Sequence, residues 1–90
     1  MNIVIVDDDC LVSGALKTIL EAHDDVCVLD MGADGQEAVR LYRQYRPDVL
    51  LMDIHMEKMN GLDAAVEILK EFPEARILLL NIIVLLVIVF

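Results

Sequence analysis

The chain is poor in positive charge, with seven Lys and Arg against 16 Asp and Glu over 90 residues, a formal net charge of −9. Binding to a phosphate backbone needs a basic patch or stripe, so this chain is not expected to bind nucleic acid. Cysteine is also scarce. Cys10 and Cys27 are isolated and lack metal-ligand spacing, which reads as two buried small hydrophobes in a reducing compartment. The start of the chain lacks the basic segment and long apolar stretch of a signal peptide, so a cytoplasmic location is expected. No internal repeat or low-complexity linker interrupts the chain. Ninety residues leave room for one domain, and 58% hydrophobic content allows it a real but small core. Both prolines, Pro47 and Pro73, stand where a helical pattern stops.

What the chain does have is apolar runs that end in carboxylates. Ile3-Val4-Ile5-Val6 leads into Asp7-Asp8-Asp9, and Val49-Leu50-Leu51-Met52 leads into Asp53. Continuous apolar runs of this length suit strands buried on both faces, as in a parallel sheet covered by helices. Parallel strands place their carboxyl ends on one edge, where open α/β sheets bind their ligands. If the two runs are neighbours, Asp53 meets the Asp7–Asp9 cluster there.

Taken in order, Asn2 to Asp7 is the first strand. Leu11, Ala15, Leu16, Ile19 and Leu20 then share one face of a helix that Asp8 or Asp9 can cap and that ends near His23. Val26 to Leu29 is a second strand. Asp34-Gly35-Gln36-Glu37 has the form of a capping box, and Ala38, Val39, Leu41, Tyr42 and Tyr45 continue a helix as far as Arg46-Pro47. On that helix Arg40, Arg43 and Arg46 lie three apart, as on a solvated face. Asp48 to Asp53 is the third strand and Met59-Asn60-Gly61 a turn. Leu62, Ala65, Val66 and Leu69 outline a third helix ended by Phe72-Pro73, and Arg76 to Leu80 begins a fourth strand. Strand and helix alternate throughout with short loops, the pattern of a parallel sheet with helical crossovers.

The last fourteen residues, Ile77 to Phe90, are apolar except for Asn81. The run is shorter than a membrane span of about 20 residues and longer than a buried strand of about 5 or 6. With no Gly, Pro or charge it reads as strand-forming and aggregation-prone, and a membrane association is not expected.

Carboxylates crowded at one sheet edge repel each other, and their pKa values rise unless a cation compensates. Mg²⁺ suits such a site, because it accepts one or two carboxylates, keeps waters and completes its octahedron with phosphate oxygens. A carboxylate beside the ion can itself accept a phosphoryl group as an acyl phosphate. The plainer reading, in which Asp8 and Asp9 only cap a helix and Asp53 only ends a strand, fits charge and spacing equally well.

Four pieces in order add a resemblance: Ile3 to Asp9, Gly35-x-Glu37-Ala38, Pro47 to Asp53, and Met59-Asn60-Gly61-Leu62. Together, over residues 2 to about 81, they resemble the receiver domain of bacterial two-component response regulators; Met59-Asn60-Gly61-Leu62 and the strand Ala75 to Leu80 look most like the subfamily with a C-terminal helix-turn-helix output domain. The resemblance implies an α/β, flavodoxin-like, doubly wound parallel sheet of order 2-1-3-4, here without a credible fifth strand and fifth helix. It divides the chain into an incomplete receiver domain, 1–81, and an apolar tail, 82–90, as in a truncated chain. It makes Asp53 the acceptor of a phosphoryl group from a sensor histidine kinase. Asp7 and Asp8 hold Mg²⁺ with Asp53, and the backbone carbonyl of His55 completes the site. The rings of His55 and His23 are incidental, and Asp9 caps the helix.

Departures from the family accompany these matches. Glu57 stands where the family has a proline, and Asn81 where it has a switch Ser or Thr. The family's lysine at the end of the fifth strand has no counterpart, since Lys58 lies in another loop. Its loss removes a fixed charge that helps orient the transferring group, so phosphorylation is expected to be slow or absent. An apolar fourth strand at the sheet edge invites self-association or a homodimer. Two further readings remain beside the phosphoacceptor. One is a phosphorylation-incompetent interaction module or decoy that docks a kinase through the first helix. The other is an enzyme, a haloacid-dehalogenase-type phosphatase with Asp7 as nucleophile; otherwise no activity is expected beyond slow self-phosphorylation and self-dephosphorylation.

Overall fold

The computed structural model describes residues 1–81, so the expectation of an apolar tail at 82–90 lies outside the described residues. Four strands, β1 (Asn2–Val6), β2 (Cys27–Gly32), β3 (Val49–Asp53) and β4 (Ile77–Leu80), alternate with α1 (Cys10–Glu21), α2 (Gly35–Tyr45) and α3 (Gly61–Glu71). All pairings are parallel, in the order β2-β1-β3-β4, as the resemblance implies. Among the described residues no helix is long and apolar enough to cross a membrane.

The apolar runs are continuous because both faces of the central strands are covered. Val4, Val6, Leu50 and Met52 face α2 and α3, packing with Leu41, Tyr42, Ile68 and Phe72. Ile3, Ile5 and Leu51 face the other way, toward Leu16 of α1, with Val28 and Leu80 of the flanking strands. The alternation is the two-residue period of a strand, with apolar residues in both positions.

Each helix starts where a short polar side chain can accept an otherwise unpaired N–H. Asp9 accepts from Leu11 N, Asp34 from Glu37 N and Asn60 from Asp63 N. Glu37 reaches back to Ala33 N at 3.1 Å, one residue before the N-cap itself, so the capping box is closed around a slightly wider loop. The end of α2 is held by Arg46, which is left-handed at φ 46.

Two helix faces differ from the pattern expected of them. On α1 the buried stripe is Ser13 and Leu16, flanked by half-buried Val12 and Leu20, whereas Leu11, Ala15 and Ile19 are exposed. On α3 the residues against the sheet are Ala64, Ala65 and Ile68, and Leu62, Val66 and Leu69 face outward. Small side chains let α3 approach closely, and the larger ones are displaced to the far side. Cys10 and Cys27 are exposed, contrary to the expectation of burial. Cys10 lies in the first turn of α1 and Cys27 begins β2, which is an edge strand.

The arginines of α2 are exposed as expected, yet two of them join α2 to α3. Arg43 Nε donates to Glu71 Oε2 at 2.8 Å, and the Arg46 guanidinium lies 4.0 Å from the centre of the Phe72 ring. Arg40 pairs within its own helix, with Glu37 at 3.3 Å.

This packing ranks substitutions. Leu41→Ala empties a fully buried site beneath α2 and is expected to cost about 2–5 kcal/mol. Leu62→Ala, on the outward face of α3, should stay within about 0.5 kcal/mol. Urea unfolding of the two variants beside the unchanged protein measures both.

Candidate functional site: an acidic cluster at the sheet edge

The register of the central strands builds the site. Val6 is paired with Met52, so the next residue of each chain path, Asp7 and Asp53, stands at the same level at the carboxyl edge of the sheet. Neighbouring strands run about 4.8 Å apart, so carboxylates placed in this way cannot avoid one another. Asp8 follows directly, and one oxygen from each of Asp7, Asp8 and Asp53 lies within 4.8 Å of the others. Among the described residues these three form the one cluster of this kind, and neither histidine ring takes part.

Local hydrogen bonds fix the orientation of the cluster. Asp7 Oδ1 accepts from Asp9 N at 2.8 Å, while Asp9 turns away and accepts from Leu11 N at 2.9 Å. Asp9 thus serves the start of α1, as expected, and Asp7 and Asp8 remain with Asp53. His55 N donates to Asp53 Oδ1 at 3.3 Å, so the residue after the strand end holds the carboxylate through its backbone while its ring is exposed. A cleft of about 200 Å³ opens over the cluster, walled by Val12, Leu16 and Leu80 on its apolar side and lined also by Asn81.

Burial, followed by the negative charges of Asp53, Asp8 and Asp9, pushes the Asp7 carboxyl up to about 6, against an ordinary value of 3.8; only its hydrogen bond from Asp9 N opposes the shift. The donor set is all oxygen, crowded and anionic, and it fits a small hard divalent cation. Asp7 and Asp8 supply two carboxylates from β1's end and Asp53 a third from β3. Lys58 is too far round the loop to neutralise them, since its Nζ stands 3.9 Å from Asp34 Oδ2 instead.

The raised value of Asp7 has a definite sign in stability. The folded chain holds this proton more tightly than the unfolded one, so stability from this group is present below about 3.8 and is lost as pH rises through about 6. Asp7→Asn mimics the protonated form at every pH. Without divalent cations, its urea midpoint should therefore exceed that of the unchanged chain at pH 7, with the difference vanishing below pH 4.

With fold and site in place, comparison with known proteins converges on one family. The family model described as the response regulator receiver domain matches residues 3–83. A transcriptional regulatory protein, DegU of Brevibacillus brevis, is 40% identical over 82 residues, covering 91% of this chain and 35% of that protein. The chain spans little more than a third of the length of the curated relatives it matches. Among solved structures, a LuxR-family two-component response regulator from an Aurantimonas species superposes with a TM-score of 0.84 at 33% identity, covering 87% of this chain and 56% of that one. The CheX–CheY–BeF3–Mg²⁺ complex of Borrelia burgdorferi gives 0.83 at 31% identity, covering 88% and 60%. An acidic triad at the ends of β1 and β3, on a 2-1-3-4 parallel sheet, is thus found together with a receiver-domain match over nearly the whole described chain: this protein belongs to the response regulator receiver domain family.

Proposed function

We propose that this chain is a phosphoacceptor module in which Asp53 takes a phosphoryl group from the phosphohistidine of a sensor kinase, with Mg²⁺ held by Asp7, Asp8, Asp53 and the His55 backbone carbonyl. The observation that carries this reading is the approach of three carboxylates to within 4.8 Å at the sheet edge. Crowded like charges gain by moving apart into water, although of the three only Asp8 is exposed. Here the strand register and the Asp9 N–Asp7 Oδ1 bond keep them together. The CheY neighbour, whose structure holds Mg²⁺, gives the same ion independent support.

In this reading an oxygen of the Asp53 carboxylate attacks the phosphorus. The P–N bond to the imidazole breaks, its electron pair leaves on the nitrogen, and an aspartyl acyl phosphate remains. Mg²⁺, when bound, neutralises charge on the phosphoryl oxygens. His55 N–H orients the nucleophile by its bond to Oδ1. A bound cation would favour the ionised form of Asp7, and the apolar wall of Val12, Leu16 and Leu80 limits water at one side of the cleft. Residues 1–81 form the functional unit. In this reading the phosphoryl group is lost only slowly to water, and among the described residues Lys58 pairs with Asp34 and does not assist its capture.

Incubation with a small-molecule phosphodonor and Mg²⁺, followed by intact-mass spectrometry, tests the proposal. One phosphoryl adduct is expected, absent in Asp53→Asn and absent when the metal is chelated. A folded chain that gains no adduct would instead be an interaction module of the same fold.

A further inference from the structure

Gly35 opens α2 and is buried. As the first residue of a helix it has an N–H without an intrahelical acceptor, and that N–H donates across to Met59 O, at 3.0 Å, in the loop between β3 and α3. The approach is close enough that a methyl on Gly35 would overlap Met59 O and lie 2.7 Å from both Cβ and Cγ of Met59. The same loop is pinned a second time at its ends, because Gly61 N donates to Ile54 O at 2.8 Å and a methyl on Gly61 would meet Ile54 Cα at 3.0 Å. Between these two anchors Lys58 is left-handed, at φ 62, a conformation uncommon for residues other than glycine. The Lys58–Asp34 pair also bridges loop and helix, but it is long and the lysine is largely exposed, so the contact rests on the amide bond and the missing Cβ.

We infer that Gly35 is a positioning residue for the acidic site: it holds the 54–60 loop against the start of α2 and thereby sets where the Asp53 carboxylate and the His55 backbone lie. The loop is short and its two ends are held together by the Gly61–Ile54 bond, so a displacement at Met59 falls on the residues between the anchors, His55 among them. His55 N–H holds Asp53 Oδ1, so loop and carboxylate move together. The consequence for metal affinity rests on the proposal that the cluster binds Mg²⁺. Groups that orient metal ligands from outside commonly affect affinity by about 10–100-fold.

The full chain carrying Gly35→Ala is compared with Gly14→Ala, whose added methyl has nothing within 4 Å. In amide-resolved NMR spectra recorded without metal, Ile54, His55 and Met59 should shift in Gly35→Ala and stay in place in Gly14→Ala. On adding Mg²⁺, the dissociation constant should rise about 10–100-fold in the first variant and remain unchanged in the second. Loop amides at their original positions in a folded Gly35→Ala chain would overturn the inference. Failure of the unchanged chain to bind Mg²⁺ would instead count against the metal reading, leaving the metal-free spectra to judge Gly35. Should Gly35→Ala not fold, hydrogen exchange in the unchanged protein decides. The Gly35 amide should exchange at least about tenfold more slowly than in an unstructured peptide of the same sequence, and equal rates would mean that the clamp is not there.

Discussion

Mutual repulsion among Asp7, Asp8 and Asp53 is the constraint on which the rest of this structure turns. Nothing about the carboxylates favours their company; they are brought together by the sheet beneath them. Val6 paired with Met52 sets the level at which the two strands end, and the fully buried Val4, Val6, Leu50 and Met52 make that register costly to change. The core therefore stores an unfavourable contact at its edge, where burial first and the neighbouring carboxylates second raise Asp7. In the proposed function a divalent cation would turn that contact into a binding site, and a phosphoryl group brought beside it would meet an oriented carboxylate. Stability and chemistry are set against each other at the same three residues.

Much of this is legible in the amino-acid sequence. Continuous apolar runs name the buried strands, Asp8 or Asp9 and Asp34 mark two helix starts with Met59-Asn60-Gly61 a turn before the third, and the strand ends point to Asp7, Asp8 and Asp53. What periodicity could not decide was which face of a helix is inward. Along α1, the stripe Leu11, Ala15 and Ile19 and the stripe Val12, Leu16 and Leu20 both follow a spacing of four, and the sheet takes the second. Along α3, Leu62, Val66 and Leu69 look like the better core, yet close packing on the sheet favours Ala64 and Ala65 with Ile68. The cysteines were misjudged for a related reason. Cysteine is often buried as a residue type, but an edge strand and a first helical turn expose whatever stands there.

Contacts between parts of the chain distant in sequence were the other blind spot. Arg43 and Arg46 read as solvated charges, and only the placement of α3 beside α2 gives them Glu71 and Phe72. Gly35 read as one letter of a resemblance. Its place at the start of α2, against the Met59 carbonyl, gives it a physical role, because any side chain there would push the loop that follows Asp53. The signal that could have found it is a glycine just after an N-cap, where helix propensity alone would favour almost any other residue.

The most direct test of the central claim follows the side-chain carboxyl of Asp7 by carbon-detected NMR through a pH titration, with and without Mg²⁺. The account predicts a metal-free midpoint of about 6, displaced well downward when Mg²⁺ is present, because the cation rewards the ionised form. A midpoint near 3.8 that does not respond to Mg²⁺ would contradict it: the Asp7 carboxyl would then be neither buried against acidic neighbours nor sharing a cation.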